Sequence, residues 1–157
     1  QIILESCLVA NNRLTDRFGG AIQVGGLSGY VSQLYTINTT IANNESDMFG
    51  SGISISSGQR AYFISSTIAD NKCKTATAAN TQGHHLRIES DEVYMINSIV
   101  TSTTSVGNDI YIASGKKLTS HGGNIVGTIE GSFTPHMSDV SGKKPVDVFG
   151  TNGLADN

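Results

Sequence analysis

Four segments of this chain repeat one short pattern, and a second pattern follows each of them. The first pattern occupies residues 3–9, 35–41, 62–68 and 94–100. The second pattern occupies residues 19–24, 50–55, 83–88 and 107–112. Matched positions recur every 24 to 33 residues, a period typical of stacked supersecondary units. The repeat therefore restricts the possible folds more than any single residue does.

Aligning the repeats places similar residues in columns that alternate with a period of two. Such alternation of β-branched and aromatic residues is typical of strands. The columns are Ile3/Tyr35/Tyr62/Tyr94, Glu5/Ile37/Ile64/Ile96, Cys7/Thr39/Ser66/Ser98, Val9/Ile41/Ile68/Val100, Ile22/Ile53/Leu86/Ile110 and Val24/Ile55/Ile88/Ile112. We expect Ile3, Glu5, Cys7 and Val9 to lie on one side. Since an unpaired buried charge is costly, Glu5 then implies a partly wet first coil or a neighbour that supplies a partner.

Two further columns are assigned structural roles in turns. A glycine stands three residues before the first aliphatic of each second pattern, as Gly19, Gly50, Gly83 and Gly107. Glycine suits a turn that needs positive φ or close backbone approach. An asparagine follows the first strand of three repeats at the same offset, as Asn12, Asn44 and Asn71. Such residues form stacked ladders that satisfy backbone groups at turns.

These columns predict an all-β fold, a right-handed single-stranded parallel β-helix in which coils stack about 4.8 Å apart. The handedness follows the general preference of parallel crossovers. We expect about four to five coils over residues 1–127, the fifth being a degenerate coil from Leu118 to Gly127. Residues 128–157, with Pro135 and Pro145, are expected to form an irregular tail that caps the last coil. Because no capping helix precedes the first strand, we expect the chain to be either a piece of a longer solenoid or a mature chain whose first coil docks on another molecule.

Composition excludes several classes of function. The net charge is −3, and only 15% of the residues are charged, so electrostatic binding of nucleic acid is not expected. The polarity is mostly uncharged, with 19 Ser, 15 Thr, 12 Asn and 18 Gly among 157 residues. No apolar run approaches the length of a membrane span. We also expect Cys7 and Cys73 to be thiols, because coils two steps apart are too distant for a disulfide.

Candidate binding residues are few. His84 and His85 are adjacent, and adjacent strand residues point to opposite faces, so the pair is not expected to chelate one ion. We expect His85 to be a surface histidine close to Asp109, which occupies its column in the next coil. Glu89, Asp91 and Glu92 form an acidic turn that is either simply solvated or binds calcium with the help of carbonyl groups.

No catalytic residue and no metal centre is predicted. A glycosidase needs two nearby carboxyl groups, and lyases on β-helices combine an acid cluster with a basic residue. Arg60 and Arg87 have no acid cluster in their columns, and the common catalytic motifs are absent. We therefore expect no cofactor, with calcium at the acidic turn as the one exception. Polar excursions at 25–34 and 72–82 are either tolerated insertions or binding loops.

Nearly the whole chain resembles a known family. Ser6 to Asn12 followed by Gly19 to Ile22, and the stretch 97–127, resemble the repeats of secreted bacterial and archaeal β-helix proteins. These include chlamydial polymorphic outer-membrane proteins and choice-of-anchor Q surface proteins, whose closing segment the stretch 149–157 resembles. The resemblance implies a parallel β-helix that is exported, surface-associated and often adhesive or glycan-facing. It carries over no catalytic residue.

The sequence thus favours a non-catalytic extracellular or cell-surface region that acts as a stalk, an adhesive surface or a fibre-assembly unit. Its expected partners are flanking coils, neighbouring copies or glycans, with neither nucleic acid nor a membrane span. The alternative is part of a carbohydrate-active enzyme, a polysaccharide lyase or a glycoside hydrolase, whose site other coils complete.

Overall fold

The computed structural model describes residues 1–74, 83–102, 107–143, 147–148 and 150. The chain is all-β over these residues, with almost no helix, and its strands lie in parallel sheets stacked along the repeat. In each sheet the hydrogen-bonded neighbours are strands of successive repeats, in the order of the chain. This arrangement agrees with the predicted solenoid, because each repeat contributes one strand to every sheet it joins.

Sheet A contains the strands that begin each repeat. They are Ile2–Glu5, Gln33–Ile37, Arg60–Ile64, Glu92–Ile96, Leu118–Ser120 and Phe133–Thr134. The predicted register is confirmed, since Tyr35 pairs with both Ile3 and Tyr62, and Tyr62 also pairs with Tyr94.

Sheet B follows sheet A in every repeat after a sharp corner. Its strands are Leu8–Ala10, Thr40–Ala42, Thr67–Ala69, Ile99–Thr101, Ile125–Val126 and Val140–Ser141. Ile41 pairs with Val9 and Ile68, and Ile68 pairs with Val100, as the alignment of repeats predicts.

Two smaller sheets complete the repeat. Sheet C consists of Arg13–Leu14, Glu45–Ser46 and Lys72–Cys73. Sheet D consists of Ile22–Val24, Ile53–Ile55, Leu86–Ile88, Ile110–Ile112 and Ile129–Glu130. The two predicted aliphatic columns of sheet D are confirmed.

The corner between sheets A and B corrects one prediction. Its residue has a positive φ in four repeats: Ser6 (51°), Asn38 (48°), Ser65 (48°) and Asn97 (49°). Because this conformation interrupts the strand alternation, the columns before it face outward while those after it face inward. Glu5 therefore lies exposed on the outer face beside half-buried isoleucines. The expectation that Ile3 and Glu5 share the inward side of Val9 was wrong.

The hydrophobic core consists of stacked columns of aliphatic residues enclosed by sheets A, B and D. Sheet A contributes the residues between the outward ones, so Leu34, Phe63 and Met95 are buried. The other fully buried large aliphatic residues are Ile41, Ile53, Ile55, Ile68, Leu86, Ile88, Ile110 and Ile112. Like residues stack on like because the parallel register repeats without slippage.

The sheets continue beyond residue 127. Ile129–Glu130 extends sheet D, Phe133–Thr134 extends sheet A, and Val140–Ser141 extends sheet B. These strands have only two residues each, so they carry no recognisable period, and the sequence predicted an irregular tail there. The predicted likeness of 149–157 to a closing segment and most of the excursion at 72–82 lie outside the described residues.

The predicted glycine column has the expected geometry, with φ of 74° at Gly19, 69° at Gly50, 73° at Gly83 and 84° at Gly107. At Gly83 a Cβ would collide with the Leu86 carbonyl oxygen and lie 2.8 Å from the Tyr111 backbone nitrogen. Space and backbone conformation both demand glycine at this turn.

We predict that Gly83→Ala lowers the free energy of unfolding by at least about 3 kcal/mol, since the added methyl group meets backbone atoms that cannot move away. Gly58→Ala is the matched control, because Gly58 has a φ of 74° and a Cβ added there would meet nothing within 4 Å. That control should lose only the conformational cost of about 1–2 kcal/mol. Urea unfolding followed by circular dichroism measures both, and equal losses would contradict the steric argument.

Candidate functional surface

The three turn asparagines form one hydrogen-bonded ladder. The Asn12 backbone and side-chain nitrogens donate to Asn44 Oδ1 at 3.0 and 2.9 Å. Asn44 repeats both contacts with Asn71 Oδ1, at 3.1 and 2.8 Å. Asn44 Nδ2 also donates to the carbonyls of Val9 and Ala42, and Asn71 Nδ2 donates to that of Ile41. The amides are thus consumed by contacts between neighbouring repeats.

His85 occupies the next level of this ladder. The Asn71 backbone nitrogen donates to His85 Nδ1 at 3.2 Å, which places the ring proton on Nε2. Nε2 lies 3.2 Å from Asp109 Oδ1, and Thr128 donates to the other carboxylate oxygen through its backbone nitrogen at 2.7 Å and its hydroxyl at 3.1 Å. His85 and Asp109 meet as predicted. Both are buried, however, so the expected surface location was wrong.

His84 is buried beside them. Its Nδ1 accepts the Cys73 backbone N–H at 3.3 Å, and its Nε2 lies against Gly107. Among the residues that the structure describes, this Nε2 has no hydrogen-bond partner. Burial, reinforced by the neighbouring His85 and opposed by Asp109, lowers the pKa of His84 below its ordinary value. His84 therefore resists protonation in the folded chain.

A second ladder runs along the corner between sheets A and B. The residue after each left-handed corner residue donates its backbone N–H to a side-chain oxygen of the next repeat, from Cys7 to Thr39, Thr39 to Ser66, Ser66 to Ser98 and Ser98 to Asn124. Asn124 in turn donates to Asp139 Oδ1 at 2.9 Å. The Asp139 backbone nitrogen donates to the His136 carbonyl, so this ladder closes there.

Asp139 collects several donors at this closing level. Its carboxylate accepts from the Ser120 hydroxyl at 2.6 Å and from the His136 backbone nitrogen at 2.7 Å. Burial acts to raise the pKa of Asp139, but the hydrogen bonds from Ser120, Asn124 and His136 outweigh it and lower the pKa below the ordinary carboxyl value.

The three carboxylates of the acidic turn do not converge on one point. Glu89 accepts from Arg87 Nη2 at 2.5 Å, Asp91 pairs with Lys116 Nζ at 2.9 Å, and Glu92 forms an ion pair with Arg60. Glu92 also raises the pKa of Arg60. These three acids thus pair with three different cations. Calcium binding at this turn remains a prediction.

The arginines have closer partners than the sequence suggested. Glu92 lies directly opposite Arg60 in sheet A, so Arg60 does have an acid in its column. The Arg87 guanidinium lies 4.7 Å from the ring centroid of Phe18 and 5.1 Å from that of Tyr111. Both arginines are thus engaged within the fold.

The outer face of sheet A carries a row of stacked aromatic rings. Centroid distances are 4.4 Å from Tyr35 to Tyr62, 5.1 Å from Tyr62 to Tyr94 and 5.9 Å from Tyr94 to His121, and the planes deviate by 7°, 10° and 16°. Burial, together with the adjacent Tyr35, raises the pKa of Tyr62. Beside the rings lies an open groove of about 240 Å³ bounded by Ile64, Ile96 and His121.

The residues that the structure describes contain neither a candidate metal site nor a candidate membrane-spanning helix. No group of three or more His, Cys, Asp or Glu side chains is placed to hold a metal ion among them. No helix there is long and apolar enough to cross a membrane. Cys7 and Cys73 are thiols and form no disulfide with each other. Cys73 is buried within the stack of repeats, whereas Cys7 is exposed in the first repeat.

Comparison with known proteins gives no relative: no family model, no curated protein and no solved structure matches this chain.

Sequence reasoning missed the aromatic face and the closing role of Asp139. The tyrosine column was recognised, but its outward direction depends on the left-handed corner residue, which the period of two does not reveal. Asp139 lies in a segment without periodicity. Its position three residues after His136, in a turn closed by its own backbone, is a local feature that only the fold connects to Asn124.

We predict that Asn44→Ala lowers the free energy of unfolding by about 3 kcal/mol, because the substitution leaves backbone groups of two neighbouring repeats without their hydrogen-bond partners. Asn12→Ala, at the exposed end of the same ladder, should cost less than about 1 kcal/mol. Thermal and urea unfolding of the two variants test this order. A similar loss in both would mean that the ladder adds little beyond the backbone pairing.

A second prediction concerns pH. Because His84 has a lowered pKa in the folded chain, the unfolded chain binds the additional proton as the pH falls below about 6.5. Stability should therefore decrease with acidification from that point until the folded pKa is reached, by up to about 1.4 kcal/mol per pH unit. His84→Gln should flatten this part of the stability curve measured by urea unfolding from about pH 7.5 to 5. An unchanged slope would refute the role of His84.

Proposed function

We propose that this chain is a non-catalytic structural region, acting as a stalk or an adhesive surface at the outside of a cell. The observation that supports this best is that many of its polar side chains form hydrogen bonds and ion pairs within the fold. The asparagine ladder, the hydroxyl ladder and two ion pairs of the acidic turn, Asp91–Lys116 and Glu92–Arg60, tie neighbouring repeats together. Groups used in this way stabilise an elongated scaffold and are not available for a reacting substrate.

We further propose that the solenoid is right-handed, in line with parallel crossovers in general. A length of four to five full coils fits the five strands of sheet D, while only sheets A and B have a sixth strand among the described residues. The extracellular location and the partners, neighbouring copies or glycans, rest on the resemblance to exported β-helix proteins and on the uncharged polar composition.

One observation favours the alternative, a carbohydrate-active enzyme. The Arg60–Glu92 ion pair lies beside the stacked tyrosines on the outer face of sheet A, and a basic and an acidic group beside aromatic rings can serve proton transfer on a sugar. Their mutual pairing, with Glu92 raising the pKa of Arg60, works against a basic role for the guanidinium.

Incubation with a panel of neutral and acidic polysaccharides separates these functions. We expect no new reducing ends and no unsaturated products, whatever binding a glycan array records. Turnover that Glu92→Gln abolishes would overturn the non-catalytic proposal. Asp91→Asn is the matched control, since Asp91 belongs to the same acidic turn but pairs with Lys116.

A further inference from the structure

Sheet C ends at the third repeat within the part of the chain that the structure describes. Lys72–Cys73 is the last of its three strands, whereas sheets A, B and D continue into the fourth repeat. The amides of Lys72 and Lys74 donate back to carbonyls of the preceding repeat. In a parallel ladder the amide between two such donors points the other way. The Cys73 N–H therefore faces the next repeat, where no strand of sheet C is described.

Two imidazoles take the place of a fourth strand at this edge. The Cys73 N–H donates to His84 Nδ1 at 3.3 Å. The Asn71 N–H donates to His85 Nδ1 at 3.2 Å. At the two preceding levels of this corner the acceptor is an amide oxygen, from Asn44 or Asn71. An amide oxygen accepts at any ordinary pH, but an imidazole nitrogen accepts only while it is unprotonated. The joint between the third and fourth repeats thus depends on two neutral rings.

His84 is poorly placed to take up a second proton. Because its Nδ1 accepts a hydrogen bond, its one proton lies on Nε2, and that atom is buried without a hydrogen-bond partner. The imidazolium would direct one N–H at the Cys73 N–H and the other at Gly107. Neither would have an acceptor among the hydrogen bonds described at this ring. Since a buried charge without a partner is costly, the protonated ring is more stable in water than in this position.

The titratable neighbours of His84 act in opposite directions. Burial lowers the pKa of His84, the adjacent His85 lowers it further, and Asp109 acts to raise it. The Asp109 carboxylate is already engaged, since Oδ1 lies 3.2 Å from His85 Nε2 and Thr128 donates to Oδ2. Sheet C contributes Cys73, whose backbone N–H donates to the ring. Burial and His85 prevail over Asp109, so a proton added to His84 destabilises the joint.

We propose that the joint between the third and fourth repeats is an acid-operated release, in which protonation of His84 moves its ring into solvent and uncovers the strand Lys72–Cys73. The Cys73 N–H then bonds to water, and the Cys73 side chain, which is only 4% exposed in the closed joint, becomes accessible. Because a solenoid repeat contacts only its neighbours, the opening stays local. Sheets A, B and D hold the two repeats together.

The Cys73 thiol reports on this opening. Dithiodipyridine modifies accessible thiols at acidic as well as at neutral pH. Its rate at Cys73, measured in a Cys7→Ser variant, is divided by its rate at the exposed Cys7 in a Cys73→Ser variant, which cancels the intrinsic effect of pH on the reaction. We expect this ratio to rise below about pH 6.5, by up to about tenfold per pH unit, because the open joint binds one more proton.

Two histidine variants identify the group that responds, each in both cysteine backgrounds. His84→Gln supplies an acceptor oxygen that does not titrate, so the ratio should stay constant from about pH 7.5 to 5. His121→Gln is the matched control, because His121 is exposed and stacks on Tyr94. It should respond to acid like the wild type. Circular dichroism over the same pH range verifies that each variant remains folded.

Gly107→Ala tests the same link without acid. The three atoms nearest to a Cβ added at Gly107 all belong to the His84 ring, and its Nε2 would lie only 2.3 Å away. The methyl group should displace the ring, so that Cys73 reacts faster than in the wild type at neutral pH. Continued protection of Cys73 in a folded Gly107→Ala chain would overturn the link between ring position and access.

Three other results would contradict the release. The first is a ratio that does not change with pH in the wild type, and the second is a rise that persists in His84→Gln. The third is a loss of the circular dichroism signal together with the rise, which would mean global unfolding. The release goes beyond the proposed function and does not depend on it. A missing acid response leaves the scaffold role intact, and polysaccharide turnover leaves the release to be judged by Cys73 access.

Discussion

The structure depends on hydrogen bonds between a backbone nitrogen at a corner and a side-chain oxygen of the next repeat. At such a corner the chain leaves one strand in a left-handed conformation, so the following N–H points along the solenoid without a strand partner. Thr39, Ser66, Ser98 and Asn124 provide acceptors at one corner, and Asn44 and Asn71 provide them at another. A buried N–H left without an acceptor is costly, so these side chains help to hold the register of sheets A, B and C, which meet at the two corners.

The same constraint limits chemistry. A hydroxyl, an amide or an imidazole that satisfies a corner N–H is buried and has its lone pairs occupied, as His85 shows by accepting from Asn71 while facing Asp109. Side chains that look like binding residues in the sequence are thereby drawn into the scaffold. The carboxylates of the acidic turn are also paired within the fold, each with a different cation. This use of polar side chains is consistent with the scaffold role that we propose.

The surface of the fold is uneven. The left-handed corner after each of the first four strands of sheet A turns the tyrosine and isoleucine columns outward while the alternate residues fill the core. The stacked rings stabilise neighbouring repeats through aromatic contacts. The tyrosine and isoleucine side chains of this face nevertheless remain partly exposed to solvent. The core and the half-buried outer face of sheet A thus arise from the same strands.

The strands of sheets A, B and D as far as residue 112, their register and the glycine turns follow from the repeat in the sequence, because a column of like residues can form only if equivalent positions stack. It also determined that His85 and Asp109 would meet, since they occupy one column. The direction of each side chain was decided only by the tertiary structure. A single left-handed residue such as Asn38 or Ser65 inverts the alternation, and this moved Glu5 from the expected core to the surface. Burial of His84 and His85 and the closing role of Asp139 likewise depend on which elements pack around them, and that is a property of the folded chain rather than of any local period.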